Sequence, residues 1–402
     1  MSNLRYAPDF SISINGQTVP AALRASSTSI SMTSALVGSA RVEIDLVNEN
    51  LRWLDHALLK LDNDLALKIG YAPDPLEQVF NGQIVGHDAS FPASGVPTIR
   101  IVAQDRMQNL QEGKKARWFA IPIPTVGNFA LPDAAVAGIV SLENGLIPIL
   151  DPVGAALSVL LGGVGTVVSA GDADTAQKVI RHQAEESDFD FLQRISKENG
   201  WEMIIDQAGP LGGYQLHFMS PLNNLTPEVT LKYGQSLVNF TPRISKVGQI
   251  VSVTAFVWVA AIKTKFAVTV GWDWDQMSLT LDIRPSYTPM GKGPSDVQIK
   301  KPVTPVSAPR EIVSELIPKL NQRLTGSGST IGDPRIKPGI VMKLEGLGEE
   351  FGGFYRVTSA THTINSSGYH TSFEVRKEIW FGSIPLPEQG AAPLTIKGPF
   401  GG

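Results

Sequence analysis

Glu185, Glu186, Asp188 and Asp190 form the densest run of ionisable side chains in the sequence. Paired carboxylates are what general acid–base chemistry and glycoside cleavage require. At the start of a helix the same acids serve as cap and dipole partners, which is the simpler reading. Asp273 and Asp275 alternate with Trp272 and Trp274. On a strand the acids share one face and the indoles the other, which suits sugar binding and is explained equally well by a half-buried strand. His362 and His370 are the close histidine pair of the second half. If residues 365–368 make a four-residue hairpin loop, Ile364 faces Tyr369 and His362 faces Thr371. His370 then points to the opposite face, which argues against a shared metal. His56, His87, His182 and His217 are scattered without ligand spacing. The run GSGST at 326–330 lacks the Gly-Lys that completes a phosphate loop and reads as a flexible connector. Neither G-x-S-x-G nor H-E-x-x-H occurs. The sequence therefore nominates no catalytic, cofactor-binding or metal-ligating residue.

The acids belong to a unit spanning residues 181–206, where local signals agree. Ser187 can cap the first turn of a helix while Asp190 reaches back to it. Phe189, Leu192 and Ile195, with Phe191 beside them, make an apolar stripe at spacing three to four. Asn199-Gly200 supplies a left-handed stop, and residues 201–206 follow as a strand. The turn AGPLGG leads into residues 214–219, which alternate, so the unit closes as a helix plus a hairpin.

The segment ESDFDFLQRISKENGW in this unit resembles a segment of the phage late control D proteins, the central hub of contractile tail baseplates. The same fold forms the first part of type VI secretion spike proteins. A second stretch, residues 332–378, is similar to the closing barrel strands of that family. With the opening segment, the resemblance spans most of the chain. It implies a homotrimer in which each chain contributes two tube-like barrels, giving a pseudo-sixfold ring that joins a hexameric inner tube to a trimeric spike. It also implies an inner tube protein, a spike and baseplate wedge components as partners, and no cofactor.

Composition sets independent bounds. A chain of 402 residues is long for one core and suggests two or three domains. With 34 basic against 38 acidic residues and a net charge of −4, a nucleic-acid surface is disfavoured. Gly 38 and Pro 28, among many short alternating segments, point to β-rich architecture. The absence of Cys excludes disulfides and thiolate metal sites and suits a particle that leaves a reducing cytoplasm. No secretory signal is readable at the start.

Residues 9–104 read as strands with an Asn15-Gly16 hairpin turn and one short helix, capped by Asn50 and carrying Leu51, Leu54, Leu58 and Leu61. The fold class expected is mainly β with an α+β insertion: two tube-like antiparallel β-barrels plus a smaller helix-hairpin domain. Residues 1–113 form the first barrel, completed by strands within about 210–245. Residues 114–209 are the insertion, with a plausible helix at 133–146 and an uncharged, Gly-rich segment at 152–171. That segment is too broken by Pro and Gly for a membrane span and reads as an apolar contact with a neighbouring subunit. Residues 246–385 form the second barrel, with a Pro/Gly-rich excursion at 286–309 and a helix opened by Pro309 that bears Ile312, Leu316, Leu320 and Leu324. Residues 386–402 are a Pro/Gly-rich tail expected to lie along a partner or to be disordered. Because the chain ends in this tail, the spike is expected to be a separate polypeptide.

The leading expectation is a non-enzymatic baseplate hub, assembled in the bacterial cytoplasm and carried in a phage tail or injection particle, without nucleic acid or membrane contact. The alternative is an envelope carbohydrate-binding or peptidoglycan-hydrolysing component of such a particle. A single tail-tube subunit is disfavoured by the length.

Overall fold

Period-two burial governs the first third of the chain. Ile12 and Ile14 pack inward from the strand Ala7–Ile14, opposite Leu67 and Leu65 of the antiparallel strand Asp64–Ala72. The computed structural model describes residues 7–123, 127–150, 180–220, 225–244, 252–259, 264–273, 278–285, 296–303, 321, 324–378 and 394–397. Among these residues the largest element is one sheet of thirteen strands.

Its order starts with Gln17–Thr18, Ala7–Ile14, Asp64–Ala72, Glu77–Ser90, Thr98–Asp105, Arg41–Val47 and Ser27–Ala35. It continues with Gly353–Asn365, Gly368–Arg376, Leu324–Ile331 and Leu237–Ile244, while Val341–Glu345 and Pro227–Lys232 branch from Gly353–Asn365. The two β-rich ends of the chain thus share one hydrogen-bonded sheet, joined where Ile30 lies opposite Ile364 and Met32 opposite His362. Asn15 and Gly16 are both left-handed and turn the first hairpin as expected.

Two packed cores lie along this sheet. One gathers Leu23, Ile44, Leu46, Phe80 and Ile101 and reaches Tyr369. The other gathers Val229, Leu231, Leu237, Met342, Tyr355 and Phe373. Residues 227–244 therefore complete the second β region and not the first. Val229 and Leu231 alternate inward beside Met342 and Leu344, and their strand pairs parallel with Val341–Glu345.

Three further expectations are corrected. Residues 49–61 form two 3-10 turns, Glu49–Leu51 and Ala57–Leu59, in place of a helix. Asn50 and Leu51 are left-handed, and the buried anchors are Trp53 and Leu59, while Leu51 and Leu61 are exposed. The GSGST run is no connector. It lies within Leu324–Ile331, paired on both sides, because the ring of Phe240 covers Gly326 and that of Phe373 covers Gly328. A Cβ on Gly326 would sit 2.5 Å from the Phe240 ring, so the sheet needs glycine there for packing.

The third correction concerns the described strands between residues 252 and 303, which do not enter the large sheet. Ser252–Val259, Thr264–Asp273, Ser278–Pro285 and Asp296–Val303 form a separate five-stranded sheet with Leu394–Lys397. Part of the expected excursion and part of the expected tail are thus strands, paired parallel to Ser252–Val259 and Ser278–Pro285 respectively. Repeated β-branched residues in VQIKKPV and LTIK carry that signal despite the flanking Pro. The apolar segment 152–171 and the helix expected from Pro309 to residue 320 lie outside the described residues, and Leu324 starts a strand.

The insertion has its own core of Leu110, Phe119, Val136, Val140, Phe191, Leu192, Ile195, Trp201 and Phe218. Lys115–Ile123 pairs antiparallel with Arg181–Glu186, and the helix Asp133–Glu143 leads to Ile147–Leu150. The helix Asp188–Asn199 begins at Ser187, whose Oγ accepts from the Asp190 amide at 3.0 Å, and ends at left-handed Gly200. Glu202–Asp206 and Gln215–Met219 then pair as the expected hairpin, with Ile147–Leu150 added parallel to the second strand.

Candidate functional site

The hairpin Glu202–Met219 is wedged between the two halves of the large sheet, and charged and polar groups fasten it on both sides. Facing the first half, the Gln207 side chain is used at both ends. Its Oε1 accepts from the Asn81 amide at 2.8 Å and its Nε2 donates to Asp105 Oδ2 at 3.3 Å. Gln78 Nε2 donates to the Gln207 carbonyl at 2.9 Å, and Asn81 Nδ2 donates to the Gly212 carbonyl at 2.7 Å. The backbone approach is close enough that a Cβ on Gly213, at φ +85°, would stand 2.6 Å from the Asn81 carbonyl. Arg106, almost wholly buried, donates from Nη2 to Asp64 and to the Tyr214 hydroxyl, each at 2.7 Å.

Facing the second half, Arg376 pairs with Glu202 of the hairpin and donates to Glu378 Oε1 at 2.6 Å. Glu378 Oε2 also accepts from Arg356 Nη2 at 3.0 Å, and Arg356 Nη1 donates to the Gly339 carbonyl at 2.8 Å. Burial drives the Glu202 carboxyl upward, opposed by the Arg376 charge. An unpaired charge at such depth would cost several kcal/mol, so the four groups stand or fall together.

A cavity of about 340 Å³ opens where the hairpin and both halves meet. Met32, Val79 and Met107 line it from the first half, Ile205, His217 and Met219 from the insertion, and Pro338 and Ile340 from the second half. Asp105 reaches its wall with 3% exposure, and burial pushes its carboxyl up to about 7 despite bonds from backbone amides. His217 Nε2 is buried without a hydrogen-bond partner among the described residues, and burial pushes this imidazole down.

His362 is also buried at the cavity wall. Its Nε2 lies 2.9 Å from the Ile336 carbonyl, which can only accept, so that nitrogen carries the proton. Its Nδ1 then accepts from the Tyr369 hydroxyl at 2.8 Å, with Thr371 Oγ1 at 3.1 Å. Burial holds the ring neutral, pushed down to about 4. The expected register, Ile364 opposite Tyr369 and His362 opposite Thr371, is observed, and His370 is exposed on the other face.

The acids at 185–190 are occupied structurally. Asp188 is buried, and burial alone would raise its carboxyl. Hydrogen bonds from Lys115 Nζ at 2.6 Å, Asn144 Nδ2 at 2.9 Å and Gln183 Nε2 at 2.9 Å, together with the Arg117 charge, bring it below its usual range. Glu186 pairs with Arg194. Trp272 and Asp273 end a strand opposite Leu279 and Ser278, while Trp274 and Asp275 lie outside the described residues. Among the described residues no group of three or more His, Asp or Glu side chains is placed to hold a metal ion. Also among them, no helix is long and apolar enough to cross a membrane.

Sequence reasoning did not find Asp105, Arg106, Gln207 or Arg376. The bonds that join them across the hairpin, Asp105 to Gln207, Arg106 to Tyr214 and Arg376 to Glu202, span 102, 108 and 174 positions, so local spacing carries no trace of the pairing.

No curated protein matches the chain in sequence. Among solved structures, the 43 kDa tail protein of prophage MuSo2 from Shewanella oneidensis superposes with a TM-score of 0.60 at 14% identity, covering 92% of this chain and 98% of that chain. The tail protein from Neisseria meningitidis MC58 gives a TM-score of 0.59 at 10% identity, covering 94% and 98%. An E. coli component of the type VI secretion system, described as structurally similar to the T4 bacteriophage tail proteins gp27 and gp5, gives 0.55 at 12% identity, covering 96% and 80%. At these identities the likeness is one of fold, and the fold is that of a phage tail protein. The family model described as the Alg8 N-terminal domain matches residues 162–366, a little over half of the sequence. The chain belongs to the Alg8 N-terminal domain family.

Proposed function

We propose that this chain is the structural hub of a contractile injection particle, either a phage tail or a related secretion or extracellular system, and that it acts without catalysis. The kinship with late control D hub proteins is part of this proposal. So is the assembly it implies: three copies, each supplying two tube-like β regions, joining a hexameric inner tube to a trimeric spike within a baseplate. The carrying observation is the end-to-end likeness to a tail protein, 92% of this chain and 98% of that one in a single superposition, which leaves little chain for a separate catalytic domain.

Two features of the molecule support a scaffold role. Its titratable clusters are spent on structure: Arg106 and the Arg356–Glu378–Arg376–Glu202 group fasten the insertion to the sheet, and the ion pairs of Asp188 tie the insertion's own elements together. The large sheet also ends, among the described residues, on the strand Leu237–Ile244, where Val238 is 61% exposed. Such an edge is where a neighbouring copy can add a strand.

The test is native mass spectrometry of the purified chain, alone and co-expressed with its candidate spike. A trimer, or a complex with three copies of each, is expected. A monomer under both conditions would sink the hub reading.

A further inference from the structure

The cavity at the three-way junction is unlike an ordinary packing defect. Empty interior cavities in proteins are apolar, yet this one, beside its methionine and valine walls, holds a deeply buried carboxylate and an unpartnered imidazole nitrogen. Asp105 receives neutral donors only, from the Met107 amide at 3.1 Å and from Gln207 Nε2 at 3.3 Å. Among the described residues it has no ion-pair partner, because the nearby Arg106 guanidinium is turned to Asp64 and Tyr214.

The charge around the cavity is uneven. Glu77, Asp105 and Asp206 supply three carboxylates, against the two cations of Arg335 and Lys337. Both cations are already engaged, Arg335 with Asp333 at 2.6 Å and Lys337 with Asp206 at 3.4 Å. Met32, Val79, Met107 and Met219 offer flexible apolar walls that can close on an alkyl chain. A buried carboxylate in such surroundings gains most from a cation brought in on an apolar stem.

We propose that this cavity binds an alkylammonium group, with its methylenes against the methionines and its cation on Asp105. Two sources share that chemistry, a free amine and the lysine side chain of a partner protein. The inference does not depend on the hub reading.

Isothermal titration of the full chain with n-hexylammonium, n-hexanol and n-hexanoate tests it. Saturable one-to-one binding of the amine is expected, at least about tenfold tighter than the alcohol, with no binding of the carboxylate. Asp105→Asn, which keeps the shape and the hydrogen bond from the Met107 amide while giving up the one from Gln207, should weaken the amine about tenfold and leave the alcohol unchanged. Met219→Trp, which fills the cavity, should abolish both while melting and circular dichroism report an intact fold. The idea is overturned if the alcohol binds as tightly as the amine, if either variant retains amine affinity, or if no saturable binding occurs. A blocked lysine peptide in the same titration assigns the source: its binding points to a partner's side chain, and its failure beside a bound amine points to a free small cation, both with the site upheld.

Discussion

The guanidinium of Arg106 lies 3.7 Å above the centre of the Tyr214 ring while its Nη2 donates to the hydroxyl of the same residue. One contact thus binds the strand end at Asp105 to the hairpin of the insertion by cation–π attraction and by a hydrogen bond. Tyr214→Phe removes only the bond and should cost about 1 kcal/mol. Tyr214→Ala removes the ring as well and should cost about 2–4 kcal/mol. Urea unfolding of the two variants against the parent checks the order and the gap.

Phe240 over Gly326 is a packing pair that can be tested for coupling. Gly326→Ala forces a Cβ into the ring and should cost about 1–3 kcal/mol. Phe240→Leu shortens the obstacle, so the double variant should be more stable than the sum of the two losses predicts, by about 1 kcal/mol or more. Additive losses would mean that the strand is held by something other than this contact.

Asp105 and His362 titrate in opposite senses. Asp105 moves up from 3.8 to about 7 on folding, so the stability it contributes is full below the lower value and is lost as pH rises towards 7. His362 moves down from 6.5 to about 4, so its contribution is present above 6.5 and is lost as pH falls towards 4. Between these limits the two slopes offset each other. Asp105→Asn should therefore be more stable than the parent above neutral pH. It should also lose stability more steeply on acidification, by at most about 1.4 kcal/mol per pH unit. Urea midpoints across mildly acidic to mildly basic buffers measure both.

Asp188 gathers Lys115, Arg117, Asn144 and Gln183 around one buried carboxylate. Asp188→Ala strands all four donors and should cost about 3–5 kcal/mol, whereas Ser187→Ala, one position earlier, removes only a helix cap and should cost about 1 kcal/mol. Thermal melts that rank the two the other way would return the acidic cluster to a simple capping role.

What could be read from the sequence was what nearest neighbours decide. Ser187, Gly200 and Asn15-Gly16 act through bonds within four residues, and each appears where its type and spacing put it. The hairpin register at His362 follows for the same reason. By contrast, Gly326 and Gly328 look like a linker until Phe240 and Phe373 are brought over them, and 296–303 looks like a Pro-rich excursion until a sheet edge is offered to it. The junction was invisible because Gln207 meets Asn81 across 126 positions and Arg376 meets Glu202 across 174. Periodicity showed that two β regions exist but could not show that they share a sheet, since strands at either end satisfy the same alternation alone or joined.

The strand Ser27–Ala35 has as its outer neighbour Gly353–Asn365, and the hydroxyls of Thr33 and Thr361, 328 positions apart, lie 3.1 Å from each other. On a ribosome adding about 5–20 residues per second, the earlier strand waits on the order of tens of seconds for the later one. Throughout that interval its hydrogen-bonding edge is open to any other nascent chain. The residues alternating with buried Ile30 and Met32 are Ser29, Ser31 and Thr33, so the waiting strand shows a hydroxyl-lined face in place of an apolar one. The seam that unites the molecule therefore closes late in synthesis, and its serines and threonines leave less apolar surface on that face while the earlier strand waits.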